Sequence, residues 1–213
     1  MVDIVTFDAA DVERYAGILT GAVAAVAGGD LVSAAAALQP IAGEVWMGRL
    51  TAAGKVGNRE AVAGVRPRNE SLRAQVFIRD GFRCTYCGGR AVPRCILVAV
   101  HDLFPDAVGY DVHYKRGKIH PVFWALAPEA DHVVAHSRGG PNVLGNLTTL
   151  HAACNTRKSD LLIDDMPPVG FARAGDDWDG LTSFYPALVA AGAGVTRPAY
   201  HREWVRRYAR LMT

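Results

Sequence analysis

The sequence predicts an α+β fold. Alanine-rich stretches with helical spacing open the chain, a middle segment of turns and β-type apolar runs follows, and an aromatic-bearing helix closes it. With 213 residues, 50% hydrophobic and 21% charged, the chain is long enough for one or two domains with a genuine core, and too apolar for disorder. No uncharged apolar stretch reaches the roughly 18 residues of a membrane span. The nearest candidate, residues 18–28, is short, built of small residues, and preceded by Asp3, Asp8, Asp11 and Glu13 rather than a basic segment. Neither a membrane anchor nor a signal peptide is expected, and the protein is placed in the cytoplasm.

Residues 9–50 read as helical, with a break at Gly28-Gly29, Asp30 as the cap of the next helix, and Pro40 ending it. Gly54, Gly57, Gly64 and Pro67 mark residues 51–68 as a linker. Helical spacing returns at 70–79, and Asp80-Gly81 turns the chain. Residues 82–134 read as strands and turns. Residues 96–100 suit a buried strand, and 110–114 and 122–126 read as a hairpin turning near Lys115-Arg116-Gly117-Lys118. Residues 146–160 return to helix, and a last helix spans about 200–212. The expected division is 1–65, a helical region of unknown role; 66–165, a central domain; and 166–213, a tail ending in a helix packed on the core.

The net charge of +2 says little, but its distribution is uneven. Arg66, Arg68, Arg73, Arg79, Arg83, Arg90 and Arg94 face only Glu70 and Asp80, while the first 30 residues carry Arg14 against five acids. The basic middle is either a polyanion-facing surface or a solvated helix face.

Cysteines stand at 84, 87, 95 and 154. Cys84-Thr85-Tyr86-Cys87-Gly88-Gly89 has the shape of a zinc knuckle: two thiolates can face one tetrahedral ion when the backbone turns tightly, and glycine permits that turn. A redox pair has the same spacing. His151-Ala152-Ala153-Cys154 supplies a second pair at i, i+3 of the expected helix. Cys84, Cys87, His151 and Cys154 then form a closed, structural zinc site, with Cys95 the rival for the place given to His151.

Further motifs follow in order: Asp131-His132, the turn His136-Ser137-Arg138-Gly139-Gly140, Asn146-Leu147, and Cys154-Asn155-Thr156-Arg157-Lys158. With the Arg79-Asp80-Gly81-Phe82-Arg83-Cys84 lead-in and the Cys-x-x-Cys, residues 76–160 resemble the HNH endonuclease family. The resemblance implies a ββα-metal core, two strands carrying the Asp-His and the turn and a helix carrying the last Asn, flanked here by N-terminal helices and a C-terminal helix. It implies that Asp131 and Asn155 hold a divalent cation (Mg²⁺ or Mn²⁺), that His132 is the general base, and that Asn146 holds the loop and orients His132. The chemistry suits these residue types: imidazole is largely neutral near pH 7, and a hard cation takes carboxylate and amide oxygens.

Two departures from the family pattern stand out. His151 replaces a common cysteine, which zinc accepts. A spacer of 43 residues between Cys87 and Asp131 is expected to hold the inserted β-hairpin. Its basic tip (Lys115, Arg116, Lys118), together with Arg83, Arg138, Arg157 and Lys158, is the expected contact surface for DNA, double-stranded by expectation. A homodimer is compatible with the N-terminal helices, which could equally be a specificity element or a cap. The implied function is a metal-dependent DNA endonuclease, in restriction or another defence against foreign or modified DNA. The competing readings are a zinc-braced nucleic-acid-binding module without catalysis and a redox protein using Cys84 and Cys87; the latter lacks a βαβ frame.

Overall fold

A computed structural model describes residues 2–53, 69–167 and 177–213. The linker expected at 51–68 falls almost wholly outside these residues.

Helix α1 (Ala9–Ala27) begins at a reciprocal cap: Asp8 accepts from the Asp11 N–H at 3.1 Å, and Asp11 accepts from the Asp8 N–H at 3.2 Å. It buries Val12, Tyr15, Leu19, Val23 and Val26, the one-sided stripe of an amphipathic helix. Asp30 caps α2 (Leu31–Leu38) as expected, accepting from the Ser33 N–H at 2.8 Å. The helical reading of 9–50 fails at its end. Strand β1 (Val2–Ile4) pairs in parallel with β2 (Glu44–Trp46), three-residue strands too short to show a period. Glu44 is buried because the Tyr15 hydroxyl donates to it at 2.5 Å and Arg14 pairs with it at 3.4 Å.

The inserted β-hairpin is not formed. Residues 96–100 lie in α4 (Arg94–Leu103), and 122–126 form a short helix, labelled α5 below. In α4 every residue from Cys95 to Val100 is buried, so the helix shows no polar stripe and its apolar run reads like a core strand. Pro93 and Pro121 sit at the two helix starts, where a missing N–H costs nothing. Between them, residues 105–120 run in turns that leave Lys115, Arg116 and Lys118 exposed but bury His120.

Helix α3 (Glu70–Arg79) leads into the Cys-x-x-Cys segment and packs on both strands of an antiparallel pair. In that pair β3 (Pro128–His132) runs against β4 (Leu147–His151), from Pro128 opposite His151 to His132 opposite Leu147. Helix α6 (Ala152–Lys158) follows β4 without a loop, so the helix expected over 146–160 starts at Ala152, and His151 ends the strand. α5 (Val122–Leu126) precedes β3. The tail forms an irregular helical stretch at 182–196 and α7 (Pro198–Leu211). One apolar cluster joins Val12, Phe77, Ile96, Phe123, Leu147, Tyr185 and Tyr208, and a separate small one joins Cys84, Cys87, Leu150 and Cys154. Among the described residues no helix is long and apolar enough to cross a membrane.

Candidate functional site

The ligand atoms of Cys84, Cys87, His151 and Cys154 lie within 4.8 Å of one another, and all four residues are buried. Zinc bonds of about 2.3 Å to sulfur and about 2.0 Å to nitrogen put tetrahedral ligand atoms about 3.5 Å apart. Cys87 Sγ and His151 Nδ1 are 3.4 Å apart. His151 Nε2 lies 3.0 Å from the Arg90 carbonyl, which can only accept, so Nε2 carries the proton and Nδ1 keeps its lone pair for a metal. Burial raises the Cys84 thiol, but hydrogen bonds from Cys154 and Cys87 outweigh it and hold the thiol well below its ordinary value. Cys154 is pushed far up by its hydrogen bonds to Cys84 and Cys87 and by burial, the strain of crowded thiolates that a dication relieves. The cluster could hold a zinc ion.

The knuckle is seated by its backbone. The Cys84 N–H donates to the Gly89 carbonyl at 3.0 Å, and the Thr85 N–H to the Thr149 carbonyl on β4 at 2.8 Å. A Cβ on Gly89 would come within 3.1 Å of His151 Cε1 and 2.9 Å of Val12 Cγ1, so only glycine lets the imidazole close on the cysteines. Cys95 is elsewhere, buried in the large apolar core, where burial raises its thiol strongly.

Asp131 and His132 end β3. Asn146 clamps the loop that follows. Its Oδ1 accepts from the Val134 N–H at 2.9 Å, and its Nδ2 donates to the carbonyls of Val134 at 3.1 Å and Pro141 at 2.9 Å. A Cβ on Gly140 would lie 1.8 Å from the Val134 carbonyl oxygen, so the loop closes only over glycine. The His132 ring is 7% exposed and meets the His136 ring edge-on at 5.8 Å. Asn155 is half-buried on α6, which packs against β3.

Lys158 corrects an expectation. Placed among the DNA contacts by its position in a basic run, it is 1% exposed, with its ammonium 2.7 Å from Asp131 Oδ2 and 3.1 Å from the His132 carbonyl. A group so enclosed cannot reach a phosphate, and its partners, 26 and 27 positions back, were not legible locally. Arg83 is half-buried, its Nη1 3.4 Å from the Gly88 carbonyl. Arg138, Arg157, Lys115, Arg116 and Lys118 are exposed, and Arg116 Nε donates to the Met47 carbonyl at 2.6 Å.

A brace in the lead-in motif is not legible in the sequence. Arg79 pairs with Asp80 at 2.8 Å and donates to the carbonyls of Leu144 and Leu147, each at 2.7 Å, while Asp80 accepts from the Thr149 N–H at 2.9 Å. The end of α3 is thereby tied to β4 and to the turn before it.

Residues 120–161 match the family model described as HNH endonuclease, a span that includes β3, β4 and α6. No curated protein and no solved structure shows significant similarity to the chain. The match ties the chain to nuclease-type activity in general, with DNA as a plausible partner. Over residues 120–161, with their Asp-His, Asn and Cys-Asn motifs in order, this chain is similar to the HNH endonuclease family.

Proposed function

We propose that the protein is a metal-dependent endonuclease that hydrolyses DNA phosphodiester bonds, with residues 66–165 as its nuclease unit. The observation that carries this reading is the ββα order itself: Asp131 and His132 at the end of β3, Asn146 locking the following loop, and Asn155 on α6 against β3.

His132 accepts a proton from the attacking water, a role that neutral imidazole fills near pH 7. Asn146 holds the 133–141 backbone and so fixes the approach to His132. Asp131 and Asn155 offer hard oxygen donors, which fit Mg²⁺ or Mn²⁺; Lys158 holds Asp131 Oδ2, leaving Oδ1 for the cation. A divalent ion bound there would supply Lewis acidity to the phosphodiester and offset its charge. Lys158 keeps the carboxylate oriented. The Cys84, Cys87, His151 and Cys154 site has no open position and braces the fold.

Arg138, Arg157, Lys115, Arg116 and Lys118 are the exposed cations that would track the backbone of duplex DNA. The setting that fits such an enzyme is restriction of foreign or modified DNA in the cytoplasm, by one chain or a pair. The alternative, a non-catalytic zinc-braced binding module, draws on the Lys158 ammonium already seated at Asp131. A plasmid-nicking assay separates them. Nicking that requires Mg²⁺ or Mn²⁺ and stops with EDTA supports the nuclease; binding without nicking at any divalent ion favours the module.

A further inference from the structure

Beside β3 a cavity of about 550 Å³ opens between α7, α3 and the first turn of α4. That volume lies in the range of small-molecule sites. Helix α7 makes an aromatic wall. Tyr200, Trp204 and Tyr208 recur every four residues, hence on one stripe, and all line the cavity. The Trp204 and Tyr208 rings stack with centroids 5.8 Å apart, and the Arg207 guanidinium lies 4.6 Å from the centre of the Trp204 ring.

The charges of the cavity are balanced. Glu129 bonds Arg73 at 2.5 Å and also Arg94, and Glu203 bonds Arg207 at 2.6 Å. Hydrogen-bonding capacity is nevertheless left over. Arg94 Nε, Arg207 Nη1 and the Tyr208 hydroxyl are buried and make no hydrogen bond within the described residues. Buried polar atoms are nearly always partnered. Arg94, Arg207 and Tyr208 all line this one aromatic-walled cavity, which marks it as the place where a partner from outside would be met.

We propose that this cavity binds a nucleobase. A base offers a flat π face to the α7 stripe, ring-nitrogen and carbonyl acceptors to the orphaned donors, and amino groups to the spare lone pairs of Glu129 and Glu203. A bare phosphate would use the donors but leave the aromatic wall unmatched, and the arginines are already neutralised. An apolar ligand would leave the donors unpaired. The base belongs either to a free nucleotide or to a nucleotide turned out of the DNA stack. The DNA source rests on the nuclease reading above. Glu129 and His132 are three residues apart on β3, about 10 Å along the strand and on opposite sides of its pleat.

The test is calorimetric titration of the full chain with the four deoxynucleoside monophosphates, with ribose 5-phosphate as the control. At least one nucleotide binds and ribose 5-phosphate does not. Tyr200→Ala and Arg207→Gln each weaken binding about tenfold or more, the loss that one base–aromatic stack carries, with zinc content and melting temperature kept. A duplex carrying 2-aminopurine then separates the sources. A fluorescence rise with wild type that Tyr200→Ala abolishes assigns the base to DNA; nucleotide binding without that rise assigns it to a free nucleotide. The proposal is overturned if no nucleotide binds at millimolar concentration and no rise occurs, if ribose 5-phosphate binds equally well, or if both variants fold and keep wild-type affinity. No cleavage is read, so failure here and failure of the nuclease reading are distinct.

Discussion

The Lys158 ammonium lies 2.7 Å from Asp131 Oδ2, inside the protein, where the lysine side chain is 1% exposed. It also donates to the His132 carbonyl at 3.1 Å. The last turn of α6 is thus tied to both residues that end β3, the strand and helix on which the expected cation ligands and base are carried. A lysine so enclosed is held by its partners, because an unpaired buried charge is expensive.

Lys158→Met should therefore destabilise the fold by about 3 kcal/mol, since it strips Asp131 of its partner. Urea denaturation measures the loss. DNA affinity should change little, because the ammonium does not face solvent. A variant of wild-type stability with sharply weakened DNA binding would return Lys158 to the DNA-facing surface.

The Cys84, Cys87, His151 and Cys154 cluster predicts one zinc per chain. Cys154→Ala should lose the metal and unfold the unit around β4, because structural zinc binding is coupled to folding. Cys95→Ala should keep the metal, since Cys95 lies in the other core. Metal analysis of the purified variants decides this; zinc absent from Cys95→Ala but kept in His151→Ala would reverse the ligand assignment.

Much of this site is legible in the sequence because its signals are local. The knuckle, the Asp131-His132 pair and the Asn146 turn each lie within a few residues, and Asp30 announces the start of α2. The misreadings have a different origin. Residues 96–100 are apolar all round because α4 is buried on every side, and that pattern does not separate helix from strand. Lys158 reads as solvated beside Arg157, since its partners at 131 and 132 meet it only after the β3–β4 pair has formed. The Arg79–Asp80 brace on β4 and the cavity wall of α7 depend on contacts across 65 residues or more.

His120 makes stability fall in acid. Its ring is fully buried; Nε2 donates to the Ile41 carbonyl at 2.8 Å and Nδ1 accepts from the Val122 N–H at 3.1 Å, so the neutral form satisfies both nitrogens. Burial pushes its pKa down from 6.5 to about 4. The unfolded chain takes up the proton near pH 6.5 and the folded chain only near pH 4, so this contribution is whole above pH 6.5 and is lost as the pH falls through that window. About 3 kcal/mol is at stake. Denaturation at a series of pH values should show this slope, and His120→Gln should flatten it; an unchanged slope would remove His120 as its source.

The exposed turn at Lys115, Arg116 and Lys118 should contribute affinity without chemistry. Replacing all three by alanine should lower the log–log salt slope of duplex binding by about 0.9 for each phosphate that is no longer neutralised, while cleavage at saturating DNA persists. An unchanged slope would mean that this turn faces away from the DNA.

The central claim is that His132 activates water at a cation held by Asp131 and Asn155. It is tested most directly by the cleavage rate of wild type, His132→Ala, Asp131→Ala and Asn155→Ala against metal concentration and pH. His132→Ala should keep its zinc and its DNA binding but cut roughly 10²–10⁴-fold more slowly, with partial rescue at high pH and none from added metal. Asp131→Ala and Asn155→Ala should instead need more Mg²⁺ or Mn²⁺. Cleavage by His132→Ala at the wild-type rate, or no cleavage by wild type with any divalent ion, would contradict the account.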